Sequence, residues 1–215
     1  MSFTDKEMYD LNNAMVANQN VGLGTLLNDV LFGSIPTPAV GTVTNMSTVK
    51  YTVAPTLQTA TATKSALALT VGAQAGVTAG ITQPDVPRIL TIKGNASGVA
   101  GNVVVHGTNI NDAIISDTIA LSGTSEVLGA KAFKTVTSID FPAETHSGTD
   151  TVSIGRGIKI GFPVIISNAN LVVAKNFDGA VDAGTVTAST TVEGSIYSVA
   201  GTMNGTKEVS LFFLV

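Results

Sequence analysis

His106 and His146 are the only imidazoles in this 215-residue chain, so any imidazole chemistry must use them. His106 closes the apolar run Asn102-Val103-Val104-Val105 beside Gly107, which predicts a solvated strand tip. His146 lies in the polar stretch Glu144-Thr145-His146-Ser147-Gly148-Thr149-Asp150, which reads as a loop. A transition-metal site would need both rings plus carboxylates, and the usual ligand spacings are absent. A Ser–His–acid triad is defined by geometry rather than chain order, so two histidines among many serines carry almost no information about one. The strand-turn-helix nucleophile elbow, G-x-S-x-G, is missing. The chain also lacks cysteine, which removes a disulfide framework, a thiol nucleophile and any thiolate metal site.

Carboxylates gather in two places. Asp140, Glu144 and Asp150 flank one loop, and Asp178 and Asp182 another. Calcium takes roughly six to eight oxygens, which such loops can assemble, but no D-x-D-x-D-G pattern is present. The reading is solvated loop carboxylates. The segment Gly155-Arg156-Gly157-Ile158-Lys159-Ile160-Gly161 has the wrong spacing for a dinucleotide fingerprint and no helix after it. A bulge or tight turn between strands is expected there, since glycine tolerates positive φ. Arg156 and Lys159 are then either a solvated pair or a contact for a partner's carboxylate. No catalytic residue, metal ligand or cofactor is assigned.

The composition explains how little chemistry there is to place. Charged residues are 12% of the chain against about 25% in a typical soluble domain, and the formal charge is −4. Hydrophobic residues reach 44%, aromatics only 5%, and Trp is absent. That apolar content excludes global disorder, and the charge excludes a basic nucleic-acid binder. The N-terminus has no basic and apolar signal-peptide regions, and no apolar run approaches the roughly 18 residues that span a bilayer. The expectation is a protein made in the cytoplasm without a leader. Low charge and apolar stripes also predict an oligomer.

The elements fall into three stretches. Residues 1–33 predict a helical arm: Thr4 and Glu7 form a capping box, and Met8, Leu11, Met15 and Val16 make one apolar stripe. Leu26, Leu27, Leu31 and Phe32 supply a second apolar segment, closed by Gly33. So short a helix must bury its stripe on something, either its own domain or, as a docking arm, a partner, and in the second reading these eight residues are the candidate partner-binding set. Residues 34–83 read as a Pro/Thr/Ala-rich linker with extended strands, stiffened by Pro36 and Pro38. Residues 84–215 read as a β domain: short β-rich runs separated by Gly, Asn and Asp turns, including Asp178-Gly179 and Asn204-Gly205. Among the runs are 133–139, 149–154, 158–160 and 185–192. The fold class is mainly β, an antiparallel sandwich or barrel-like domain with an N-terminal helical arm. Ile89, Ile92, Val103, Val105, Ile119, Phe133, Val136, Ile139, Val152 and Ile154 are the expected core.

Residues 84–109, beginning Pro84-Asp85-Val86-Pro87-Arg88 and running through Gly94-Asn95-Ala96-Ser97-Gly98 to Gly107-Thr108-Asn109, resemble a recurrent structural domain of tailed phages. Members of that family look like DVPRxxTVxGxASGVxGxVxVxGT. The likeness continues through 117–124, 131–139 and Asp150-Thr151-Val152-Ser153-Ile154-Gly155, then Met203 to Val209. The family's KLGLP reads Lys159-Ile160-Gly161-Phe162-Pro163 here, a conservative departure. The likeness covers roughly 84–215 and leaves 1–83 uncovered. It implies a capsid decoration (cement) or head-fibre protein: a non-enzymatic virion component on the capsid surface. The partners implied are the major capsid protein and further copies of the chain as a homotrimer, without nucleic acid, membrane or cofactor. A tail or baseplate protein is the first alternative. A carbohydrate-binding adhesin is the second, disfavoured by three Tyr and no Trp for stacking on sugars.

Overall fold

The computed structural model describes residues 47–215. The expected arm, with Met8, Leu11, Met15, Val16, Leu26, Leu27, Leu31 and Phe32, lies outside them. Fourteen strands follow one another in the described residues: β1 Thr48–Val53, β2 Thr59–Ala68, β3 Gln74–Val77, β4 Arg88–Gly94, β5 Asn102–Thr108, β6 Ile114–Ala120, β7 Val127–Phe133, β8 Thr135–Phe141, β9 Thr151–Gly161, β10 Val172–Phe177, β11 Ala180–Val181, β12 Thr185–Thr187, β13 Ile196–Ser198 and β14 Val209–Leu214. One 3₁₀ turn at Ala169–Leu171 precedes β10. The fold is mainly β, and the strand pairings are antiparallel.

Three sheets result. The central one runs β12-β13-β9-β4-β7, with β2 also paired to β9; a second runs β3-β8-β5-β6 and a third β1-β14-β10-β11. Strands of the residue range 34–83 therefore join sheets built from later residues: β1 beside β14, β2 on β9 and β3 on β8. Strand β6 shows the ordinary half-buried pattern, with Ile115, Asp117 and Ile119 inward and their neighbours exposed. Strand β4, between β9 and β7, is buried on nearly every residue.

Two apolar cores sit on this framework. The first joins Leu90 and Ile92 of β4, Val103 and Val105 of β5, Ile119 of β6, Ile139 of β8 and Val152 and Ile154 of β9. The second joins Ile160, Phe162, Tyr197, Val209, Leu211 and Phe213; the rings of Phe162 and Phe213 meet edge to face at 5.7 Å. All ten expected core residues are buried. Strand β9 runs from one core into the other, and Gly155-Arg156-Gly157 is the crossing point.

Three strand readings are corrected. The run 133–139 is two strands: the chain breaks at exposed Lys134, leaving β7 in the central sheet and β8 in the second. Its apolar residues Phe133, Val136 and Ile139 are three apart, a spacing that a straight strand cannot turn to one face. The shift is taken up by that break and by an irregularity between His106 and Gly107 in the β5–β8 register. Gly107 is needed there, since a Cβ would stand 1.9 Å from the Thr135 carbonyl oxygen. Conversely, the runs read as 149–154 and 158–160 belong to one strand, β9, Thr151–Gly161, with no turn at Gly155-Arg156-Gly157. The irregularity expected there is present as a register shift between Arg88 and Leu90 in the β4–β9 ladder. Of 185–192, only Thr185–Thr187 is strand. The Asp178-Gly179 turn has φ of 52° and 82°, as its hairpin between β10 and β11 requires.

Candidate functional site

The densest polar cluster lies at the crossing point between the two cores. Asp85 precedes β4, Arg88 opens it, and Arg156 faces them from the middle of β9. Arg88 is fully buried. Its Nε donates to the Gly157 carbonyl oxygen at 2.9 Å, and its Nη2 donates to the same oxygen. Its Nη1 donates to the Thr56 carbonyl oxygen at 3.1 Å and to Asp85 Oδ1 at 3.0 Å. Asp85 Oδ2 accepts from the Thr56 backbone N–H at 2.6 Å and hydroxyl at 2.8 Å. Burial by itself would raise the Asp85 pKa; the Thr56 N–H and the Arg88 charge outweigh it and hold the carboxyl below its usual range. Desolvation dominates at Arg88 and lowers its pKa, opposed by Asp85. The cluster thus ties the segment before β2, the segment before β4 and the middle of β9 together through one buried guanidinium.

Local sequence dictates this arrangement. Pro84 and Pro87 fix φ on either side of Asp85, and the chain bends through Asp85, Val86 and Pro87, which brings Asp85 back onto Arg88. Gly155 lets β2 cross close to β9: a Cβ there would lie 2.1 Å from the Thr59 carbonyl oxygen. Arg156, read as half of a solvated pair or as a contact for a partner's carboxylate, instead faces Asp85 of its own chain, 3.4 Å from Nη1. Lys159 is half-buried in β9 opposite Ser198 and does not join the cluster.

Each histidine is paired with a carboxylate. His106 is not at a strand tip; it lies inside β5, with its Nε2 2.9 Å from Asp140 Oδ2 across the sheet. Asp140 Oδ1 also accepts from the Gly76 N–H at 2.6 Å, and these bonds hold its pKa low. His146 is in a loop, as expected, with Nδ1 2.8 Å from Asp150 Oδ1. Asp150 is buried. Desolvation would push its pKa up, but the N–H groups of Thr145 and His146 and the His146 ring bring it below the ordinary value. Glu144 accepts from the Gly148 N–H at 2.7 Å. Neither ring has a serine hydroxyl in hydrogen-bonding reach among the described residues.

The second carboxylate loop divides in the same way. Asp178 makes an exposed ion pair with Lys207. Asp182 is buried and accepts from the Tyr197 hydroxyl at 2.5 Å and the Ala200 N–H at 3.1 Å; desolvation and that carboxylate drive the Tyr197 pKa up. Beside it, Asn170, Val172, Lys175, Gly184, Thr185 and Val186 line an open groove of 580 Å³. Lys175 Nζ donates to the Gly184 carbonyl oxygen at 2.6 Å.

Sequence reading missed Asp117, whose buried Oδ2 accepts from the N–H groups of Ala130 at 2.7 Å and Lys131 at 3.1 Å and so links β6 to β7. The available signal was a charged residue at an inward position of an alternating strand. No group of three or more His, Asp or Glu side chains able to hold a metal occurs among the described residues, and no described helix is long and apolar enough to cross a membrane. No family model, curated protein or solved structure matches this chain.

Proposed function

We propose that this protein is a non-enzymatic structural component of a tailed-phage virion, a decoration (cement) protein on the outer surface of the head. In this reading its β-sandwich body assembles as a homotrimer, and the residues 1–33 carry the contact with the major capsid protein. The observation that carries the reading is what the fold does with the residues shared with that family. Asp85 and buried Arg88 of the DVPR stretch form the ion pair at the crossing point. Gly107 and Gly155 stand where a Cβ would meet another strand's backbone within about 2 Å. Matching that motif means matching the internal framework of this fold, which is harder to reach by coincidence of Thr- and Val-rich strands. The imidazoles and loop carboxylates serve the same framework, since they hold backbone N–H groups and each other.

A cement protein needs many modest contacts repeated by symmetry, because each copy in a cyclic trimer presents one patch to a different neighbour. Burying one Leu or Met side chain contributes about 1.5–3 kcal/mol, and charging the stripe removes it. The test is co-sedimentation of the full chain with undecorated heads of the encoding phage, alongside light scattering. The chain should pellet with heads and show three times its 21.8 kDa mass. Leu11→Asp with Met15→Asp should abolish one or both. Antibody label on tails, or a monomer indifferent to heads, would overturn the proposal.

A further inference from the structure

Arg156 is the residue whose bonding the fold leaves unfinished. Its side chain keeps 17% of its accessible surface, so most of the side chain is out of water. Its Nε is buried without a hydrogen-bond partner, and among the described residues the guanidinium meets one acceptor group, Asp85 Oδ1 at 3.4 Å. That is a loose contact compared with the 2.7–2.9 Å typical of charge-assisted bonds. Asp85 Oδ2 is taken up by Thr56 and Arg88, while its Oδ1 serves Arg88 at 3.0 Å and meets Arg156 more loosely at 3.4 Å. Two arginines therefore share one carboxylate. A guanidinium has five N–H donors in a planar fork, and leaving such donors unmade in a desolvated place is costly.

We propose that Arg156 is a carboxylate-binding site, in which an acidic group from outside the chain reaches the partly exposed side chain and pairs with its terminal Nη1 and Nη2, Nε being buried. The geometry favours a carboxylate over a single-atom anion: the planar fork matches two oxygens, and a second negative charge beside Asp85 balances the two arginines. Lysine would not serve equally, since its point charge cannot bond two oxygens in a plane. The acidic group has two possible sources, a small free carboxylate or an Asp or Glu side chain of a docked protein.

Arg88 and Arg156 are the only arginines in the chain, so the arginine Nε–H region of a ¹H–¹⁵N spectrum holds two signals. Sodium acetate is titrated into the full-length protein at ionic strength held constant with sodium chloride. The Arg156 signal should shift saturably with acetate while that of fully buried Arg88 moves less. Arg156→Lys should weaken acetate binding at least tenfold, read from backbone signals of β9. Arg156→Gln, compared for head binding at the same acetate concentration, separates the sources. Lost binding to heads with lost acetate response assigns the carboxylate to a protein partner; lost acetate response with unchanged head binding assigns a small free carboxylate. An Arg156 signal that does not move, or that moves equally with chloride, overturns the site. So does an Arg156→Lys variant with wild-type acetate affinity. The acetate readouts do not require the chain to be a virion protein; the head-binding comparison rests on that reading.

Discussion

Replacing Arg88 with methionine tests the claim that a buried guanidinium joins the two cores. Methionine fills much of the same volume, so the change removes charge and donors more than packing. Lost are the bonds to the Gly157 carbonyl, the Thr56 carbonyl and Asp85. Left behind is Asp85, with 17% of its side chain exposed. Asp85 keeps the two Thr56 donors and Arg156 and is, taken as a whole residue, exposed, so the loss is that of the buried Arg88 bonds, about 1.5–3 kcal/mol for hydrogen bonds to a charged group. That is a sizeable share of the roughly 5–15 kcal/mol by which domains are stable. Its pH dependence has a definite sign. In the wild type Asp85 is held below its usual pKa, so its stabilisation is full above the unfolded value of about 3.9 and is lost as pH falls through the depressed folded value. Without Arg88, desolvation is opposed chiefly by Thr56, the folded pKa rises, and protonation relieves the desolvated charge. The cost of Arg88→Met should therefore be largest above about pH 5 and shrink toward pH 3. Urea unfolding at pH 7, 5 and 3 measures it. Asp85→Asn and the double variant complete a cycle whose coupling should reach about 0.5–3 kcal/mol. A cost below about 1 kcal/mol at pH 7, or one that does not change with pH, would refute the reasoning.

Other substitutions probe separate parts of the same framework. Ile139→Ala removes a fully buried side chain from the first core and should cost about 2–5 kcal/mol in urea unfolding. Gly155→Ala places a methyl 2.1 Å from the Thr59 carbonyl oxygen, so it should destabilise by several times the ordinary Gly-to-Ala effect and raise hydrogen exchange first in β2. Tyr197→Phe leaves buried Asp182 with the Ala200 N–H as its remaining close donor and should cost about 1–3 kcal/mol, with little change in the first core's exchange protection.

Short-range pattern made much of this fold legible. The alternation of Ile115, Asp117 and Ile119 is local, as is the positive-φ turn at Asp178-Gly179, so both could be read one strand at a time. Val103, Val105, Val152 and Ile154 could be picked out for the same reason, because burial of one face follows from period two wherever a strand is straight. Where the strand bends, that logic stops. Phe133, Val136 and Ile139 are three apart, and only the partner strands show that the chain leaves one sheet at Lys134 and enters another. His106 could not be placed within β5 from its neighbours, because its companion Asp140 lies on a different strand. The candidate site divides along the same line. The Asp85–Arg88 spacing is visible in four consecutive residues, and Arg156 stood out as a cation between glycines. That these three groups meet, that Gly155 is small so that β2 can pass, and that Arg156 shares an already occupied carboxylate are decided by β2, β4 and β9 coming together. Hydrogen bonds and desolvation act over a few ångströms in space, whatever the separation along the chain, and 71 residues of sequence separation between Asp85 and Arg156 carry no trace of their 3.4 Å approach.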